Sequence, residues 1–129
     1  MPTMRFSEQR IGDVTVLALA GRLVLDEGDV PLREHIEALV AEGRTELVLN
    51  VHDITYMDSC GIGALVEELV SLRRRGGNLK LVCPSERCRR VLEVTHLLSV
   101  FELYESDDAA VRSFSVTHEA SVSDDSGAS

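Results

Sequence analysis

The sequence predicts an α/β fold in the order ββαβαβαβα, a mostly parallel, mixed sheet of about five strands with helices packed around it. Three observations carry this expectation. Short apolar runs alternate with stretches whose apolar residues recur at three- and four-residue spacing, the alternation that builds parallel sheets through right-handed crossovers. The run ELVLNV (46–51) is almost continuously apolar, which fits a strand covered on both faces. Near the start, Ile11-Gly12-Asp13 separates two strand-like segments and adds one antiparallel pairing.

Taken in order, MRFSEQ (4–9) and VTVLALA (14–20) are the two strands of that hairpin, and Gly21 is expected to end the second. Residues 26–29 are polar, and Pro31 stands where the first turn of a helix tolerates it. Over 30–41, Leu32, Ile36, Leu39 and Val40 share one helical face, and Gly43 closes the helix. After the strand at 46–51 comes YMDSCGIG (56–63), and then Ile62, Leu65, Val66, Leu69 and Leu72 predict a helix over 61–75. Its arginines at 73–75 complement the negative end of the helix dipole, and Gly76-Gly77 break it. NLKLVC (78–83) is a strand stopped by Pro84, with Ser85 capping a short helix that carries Val91, Leu92 and Val94. A last strand (100–104) and a last helix (107–114) follow. Beyond Phe114 the chain turns Ser/Asp-rich and loses periodicity, so 1–114 is expected to be one domain and 115–129 a disordered acidic tail.

A chain of 129 residues is long enough to bury one core without staples. Tryptophan is absent and aromatic residues make up 4%, so the core must be aliphatic and base-stacking platforms are not expected. The formal charge of −9 argues against nucleic acid as a partner. More than half of it lies in residues 105–129, where six acidic side chains face Arg112 alone for a net −5. The basic clusters at 73–75 and at Arg87, Arg89 and Arg90 fit solvated helix faces.

Cys60, Cys83 and Cys88 cannot all pair within one chain and match no zinc spacing, so reduced thiols and a cytoplasmic location are expected. VTVLALA ends in the Ala-Leu-Ala of a signal-peptide cleavage site, but Glu8 and Asp13 precede it and its apolar region is short. No apolar run approaches the ~20 residues of a membrane span, so membrane insertion is not expected. The histidines at 35, 52, 96 and 118 have no ligand spacing, and no phosphate loop, dinucleotide fingerprint or G-x-S-x-G occurs. No metal, cofactor or enzymatic activity is expected.

What remains is YMDSCGIG. Its simplest role is structural: Asp58 or Ser59 caps the following helix while Gly61 and Gly63 permit a tight entry. Its position suggests more. The turn lies at the C-terminal edge of a central strand, where open parallel sheets place binding sites, and at a helix N-terminus, which favours anions. A phosphate on Ser59 would be stabilised there, would add about −1.5 to −2 charge, and would oppose a partner docked over that edge.

The stretch DITYMDSCGIGALVEELVSLRRRGGNLKLV resembles the core of the STAS domain, as found in bacterial anti-sigma-factor antagonists, and the likeness covers roughly residues 5–114. The family pattern runs from an apolar strand through (F/Y)-(M/I)-D-S-(S/T/A)-G-(L/I)-G to an amphipathic helix, a Gly-Gly break and a strand. The resemblance implies an unphosphorylated chain that binds an anti-sigma factor, itself an ATP-dependent serine kinase, and so frees a sigma factor. It further implies that the kinase phosphorylates Ser59 and ends binding, and that a serine phosphatase restores it. Ser59 then matches the phosphoacceptor, Asp58 the preceding acid, and Cys60, Gly61, Ile62 and Gly63 the docking edge. Where relatives often read G-E-L-D, this chain has Gly21-Arg22-Leu23-Val24, and Asp26 is the nearest acid and a candidate contact. Cys60 replaces a frequent Ser or Thr, and His96-Leu97 a common Gly-Leu. The same architecture also suits a scaffold subunit of a sensory assembly, an accessory subunit of a lipid transporter, or a small-ligand or nucleotide sensor.

Overall fold

The computed structural model describes residues 4–24, 28–83, 86–94, 96 and 99–114, except the side chains of 87, 88 and 91. The expected segments at 25–27 (with Asp26), at 84–85 (with the Ser85 cap) and from 115 onward lie outside the described residues.

The chain runs β1 (Met4–Ile11), β2 (Val14–Leu23), α1 (Asp29–Ala41), β3 (Glu46–Met57), α2 (Ser59–Arg74), β4 (Asn78–Val82), α3 (Glu86–Val94) and β5 (Leu103–Tyr104), followed by α4 over 107–114. One five-stranded sheet has the spatial order β1-β2-β3-β4-β5. The opening hairpin is antiparallel, from Met4 opposite Gly21 to Ile11 opposite Val14. The other three pairings are parallel.

Strand alternation divides the core in two. Leu17 and Leu19 of β2, Leu47 and Leu49 of β3, and Leu79 and Leu81 of β4 point to one face. There they meet Leu32, Ile36 and Leu39 of α1, Leu65, Leu69 and Leu72 of α2, and Leu92 of α3. Val14, Val16, Val48 and Val82 point to the other face and are covered by Ala110 and Phe114 of α4. Both faces are therefore apolar, which explains why ELVLNV shows no polar alternation. On the α4 side, Lys80 is buried but satisfied. Its ammonium lies 2.8 Å from the Ser113 hydroxyl, 3.4 Å from a Glu102 oxygen and 4.2 Å from the Phe114 ring centroid.

Among the strands, β2, β3 and β5 depart most from expectation in extent. β2 does not stop at Gly21 but continues to Leu23, because Gly21 takes φ +117° within an irregular stretch of pairing that a glycine accommodates. β3 continues six residues past Val51 and pairs with this extension, Arg22 opposite Tyr56 and Leu23 opposite Met57. Its polar residues 52, 53, 55 and 56 are exposed where the neighbouring β4 has already ended. β5 shortens to two residues.

One expectation about the thiols is corrected. Cys83 is disulfide-bonded, whereas Cys60 is free. An odd cysteine count excludes pairing of all three thiols, not of two. Among the described residues, no helix is long and apolar enough to cross a membrane.

Candidate functional site

The site forms where β3 hands over to α2. Asp58 is extended (φ −101°, ψ −177°) and stands just before the helix, whose first residue is Ser59 rather than the expected Gly61. Its side chain accepts a hydrogen bond from the Gly61 N–H at 2.9 Å, and its carbonyl accepts the Ile62 N–H at 3.0 Å. Of the two residues the sequence offered as the cap, the structure selects Asp58. Ser59 is left exposed on the first turn, and Cys60 is half-buried beside it.

The turn is braced against the end of β2. The Asp58 N–H donates to the Leu23 carbonyl at 3.3 Å. A Cβ on Gly61 would lie 2.1 Å from the same carbonyl oxygen and 2.8 Å from Leu23 Cγ, so only glycine lets α2 approach this closely. Ile62 turns its side chain toward the main core. Gly63 has a different environment, since a Cβ there would meet nothing within 4 Å among the described residues. Residues 59 and 63 are one helical turn apart on the same side of α2, so Gly63 keeps open the space next to the Ser59 hydroxyl.

The structure thus brings together Asp58, Ser59, Cys60, Gly61, Ile62 and Gly63; Asp26 lies outside the described residues. It also adds two residues to which the sequence assigned no part. Arg22 and Tyr56 are cross-strand partners, and the Arg22 guanidinium lies 5.8 Å from the centroid of the Tyr56 ring. Tyr56 remains 55% exposed, a large aromatic surface two residues before the cap. The signal for it was the aromatic residue of the octet itself, and for Arg22 the departure from an acid after Gly21. Both stand beside the turn because β2 runs on past Gly21 to Leu23.

The electrostatics follow from the helix end. The Gly61 and Ile62 N–H groups are bonded to Asp58, while residues 59 and 60 stand at the positive end of the sixteen-residue α2. Arg22 adds a cation along the same edge.

Comparison with known families decides the affiliation, because the family pattern of the STAS domain matches residues 6–110. The chain belongs to the STAS domain family. This STAS domain is 30% identical over 105 residues to the anti-sigma-B factor antagonist of Bacillus subtilis, covering 81% of this chain and 94% of that one. Its fold is similar to the crystal structure of a candidate anti-sigma factor antagonist of Thermotoga maritima, with TM-score 0.74, 25% identity, and coverage of 84% and 92%. It also superimposes on the Bacillus cell fate determinant SpoIIAA in its phosphorylated form, with TM-score 0.66, 21% identity, and coverage of 85% and 99%. That last likeness concerns the fold.

Proposed function

We propose that this STAS domain is an anti-sigma-factor antagonist whose binding is switched off by phosphorylation of Ser59. The unphosphorylated chain binds an anti-sigma factor of the ATP-dependent serine kinase type, and this releases a sigma factor. The kinase moves the γ-phosphoryl group of ATP to Ser59 Oγ; ADP leaves and the hydroxyl proton is lost. Hydrolysis by a serine phosphatase resets the chain. The domain is a substrate and a switch, and the catalytic groups come from its partners.

The observation that carries this reading is the exposed Ser59 at the first position of α2, with the open space above Gly63 beside it. The approaching enzyme needs that access. The new phosphate would sit at the positive end of a helix, which stabilises the modified state locally. For a docked partner, about −1.5 to −2 charge on a contact that was neutral brings bulk and desolvation cost. Asp58, Cys60, Gly61, Ile62 and Gly63 form the docking edge, with Asp26 as a further contact. The names of the relatives support the partner class, and the half-buried Ile62 and exposed Tyr56 supply apolar surface for it.

The test combines the chain with its cognate kinase-type anti-sigma factor and ATP. One phosphate should appear on residue 59 and none on Ser59→Ala, while Ser59→Asp should bind the anti-sigma factor more weakly than wild type. Phosphate on another residue together with unchanged binding by Ser59→Asp would overturn the proposal.

A further inference from the structure

A second site lies away from Ser59, between α1 and α2. A cavity of about 190 Å³ opens there, lined by Glu37, Val40 and Ala41 from α1 and by Glu68, Ser71 and Arg75 from α2. Glu68 is the unusual member. It is only 7% exposed, and among the described residues no ion pair includes it. No hydrogen bond among those residues reaches it either, and the nearby Arg33 is paired with Glu67 instead. Yet no buried side-chain nitrogen or oxygen among the described residues is both sealed and unbonded. The Glu68 oxygens are therefore not sealed off, and Glu68 lines the cavity.

A buried carboxylate without a partner is costly, and helix-to-helix packing would be served as well by leucine or methionine. Burial pushes the Glu68 carboxyl above the ordinary glutamate range. Arg33 and Arg75 oppose that shift, and Glu37 and Glu67 reinforce it.

We propose that the cavity between α1 and α2 binds a short primary alkylammonium ion, its ammonium against Glu68 and its alkyl chain against Val40 and Ala41. An ammonium offers three donors, and Glu68, Glu37 and the Ser71 hydroxyl supply acceptors around one small space. A metal ion fits less well: two carboxylates and a hydroxyl are a sparse set, and the described residues contain no group of three metal-binding side chains. Arg75 on the rim disfavours ligands with a second positive charge. The site does not depend on the role of Ser59, and its test involves no phosphorylation.

The experiment is a titration of the full chain with n-butylammonium chloride at constant ionic strength, followed by backbone amide chemical shifts. Saturable shifts confined to residues around Ala41, Glu68 and Ser71 are expected, with none from n-butanol. Glu68→Gln should weaken the affinity by roughly tenfold or more, as expected for loss of a charge-assisted contact. Ala41→Leu, which fills the cavity from its rim and leaves the carboxylate in place, should do the same. Binding should also weaken as pH falls and Glu68 is protonated. No saturable shift up to about 50 mM ligand, an equal response to n-butanol, or unchanged binding by both variants would overturn the proposal.

Discussion

Two glycines within three residues of each other, Gly61 and Gly63, do opposite things. Gly61 is required by the fold, since any side chain would collide with the Leu23 carbonyl. Among the described residues nothing requires Gly63, since none of them lies within 4 Å of its side-chain position in the first turns of α2. A glycine inside a helix costs about 0.5–1 kcal/mol relative to alanine. Gly63→Ala should therefore raise unfolding stability by up to about 1 kcal/mol in urea denaturation while slowing modification of Ser59. Gly61→Ala should lower stability by roughly 2–3 kcal/mol, the scale of overpacking against rigid backbone. A destabilised Gly63→Ala protein would mean that the glycine serves the fold after all. The sequence could not separate the two glycines, nor choose between Asp58 and Ser59 as the cap. Both questions turn on where Leu23 lies, and it is 35 or more residues away in the chain.

At the scale of elements, identity was legible and extent was not. Helical spacing in α1 and α2 survived intact because both helices pack one apolar stripe against the sheet. The extensions of β2 and β3 were hidden for a specific reason. HDITYM carries polar residues and pairs on one side only, while its partner contains a glycine that normally ends a strand. Tertiary pairing supplies what local pattern does not. α2 also carries Glu68, which periodicity places in the core although its charge argues against burial. Its carboxyl pKa is raised mainly by desolvation, so the native state holds that proton to higher pH than the unfolded chain does. Stability from this group is then greatest at low pH and falls as pH rises through the interval between the unfolded and native values. Glu68→Gln should show a higher Tm than wild type at pH 7, with the difference shrinking towards zero below the ordinary glutamate pKa of about 4.3. Melting curves across pH 4–8 on the order of 0.5 unit apart would resolve it. A Tm gap that stays constant with pH would show that ionisation of Glu68 is not its cause.

For the whole molecule, strand order determines where helices can go. β2, β3, β4 and β5 follow one another in the same direction across the sheet, all parallel. Right-handed crossovers in a constant direction put every connecting helix on the same face. α1, α2 and α3 accordingly share one core, and among the described residues the reverse face, with Val14, Val16, Val48 and Val82, is covered by α4. The last eight described residues thus complete the fold, although the STAS match itself ends at residue 110. They also complete the environment of Lys80, which without Ser113 and Phe114 would keep Glu102 but lose its hydroxyl partner and the aromatic ring that covers it. Two truncations test this. Ending the chain at residue 114 removes residues 115–129 and should leave stability within about 0.5 kcal/mol of the full chain. Ending it at residue 106 removes α4; loss of Phe114 alone should cost roughly 3–5 kcal/mol, a large part of the 5–15 kcal/mol that holds a domain together. That shorter chain should aggregate or bind a hydrophobic dye at 25 °C. If it instead melts cooperatively at the wild-type temperature, the reverse face needs no cover and the two-sided core is wrong.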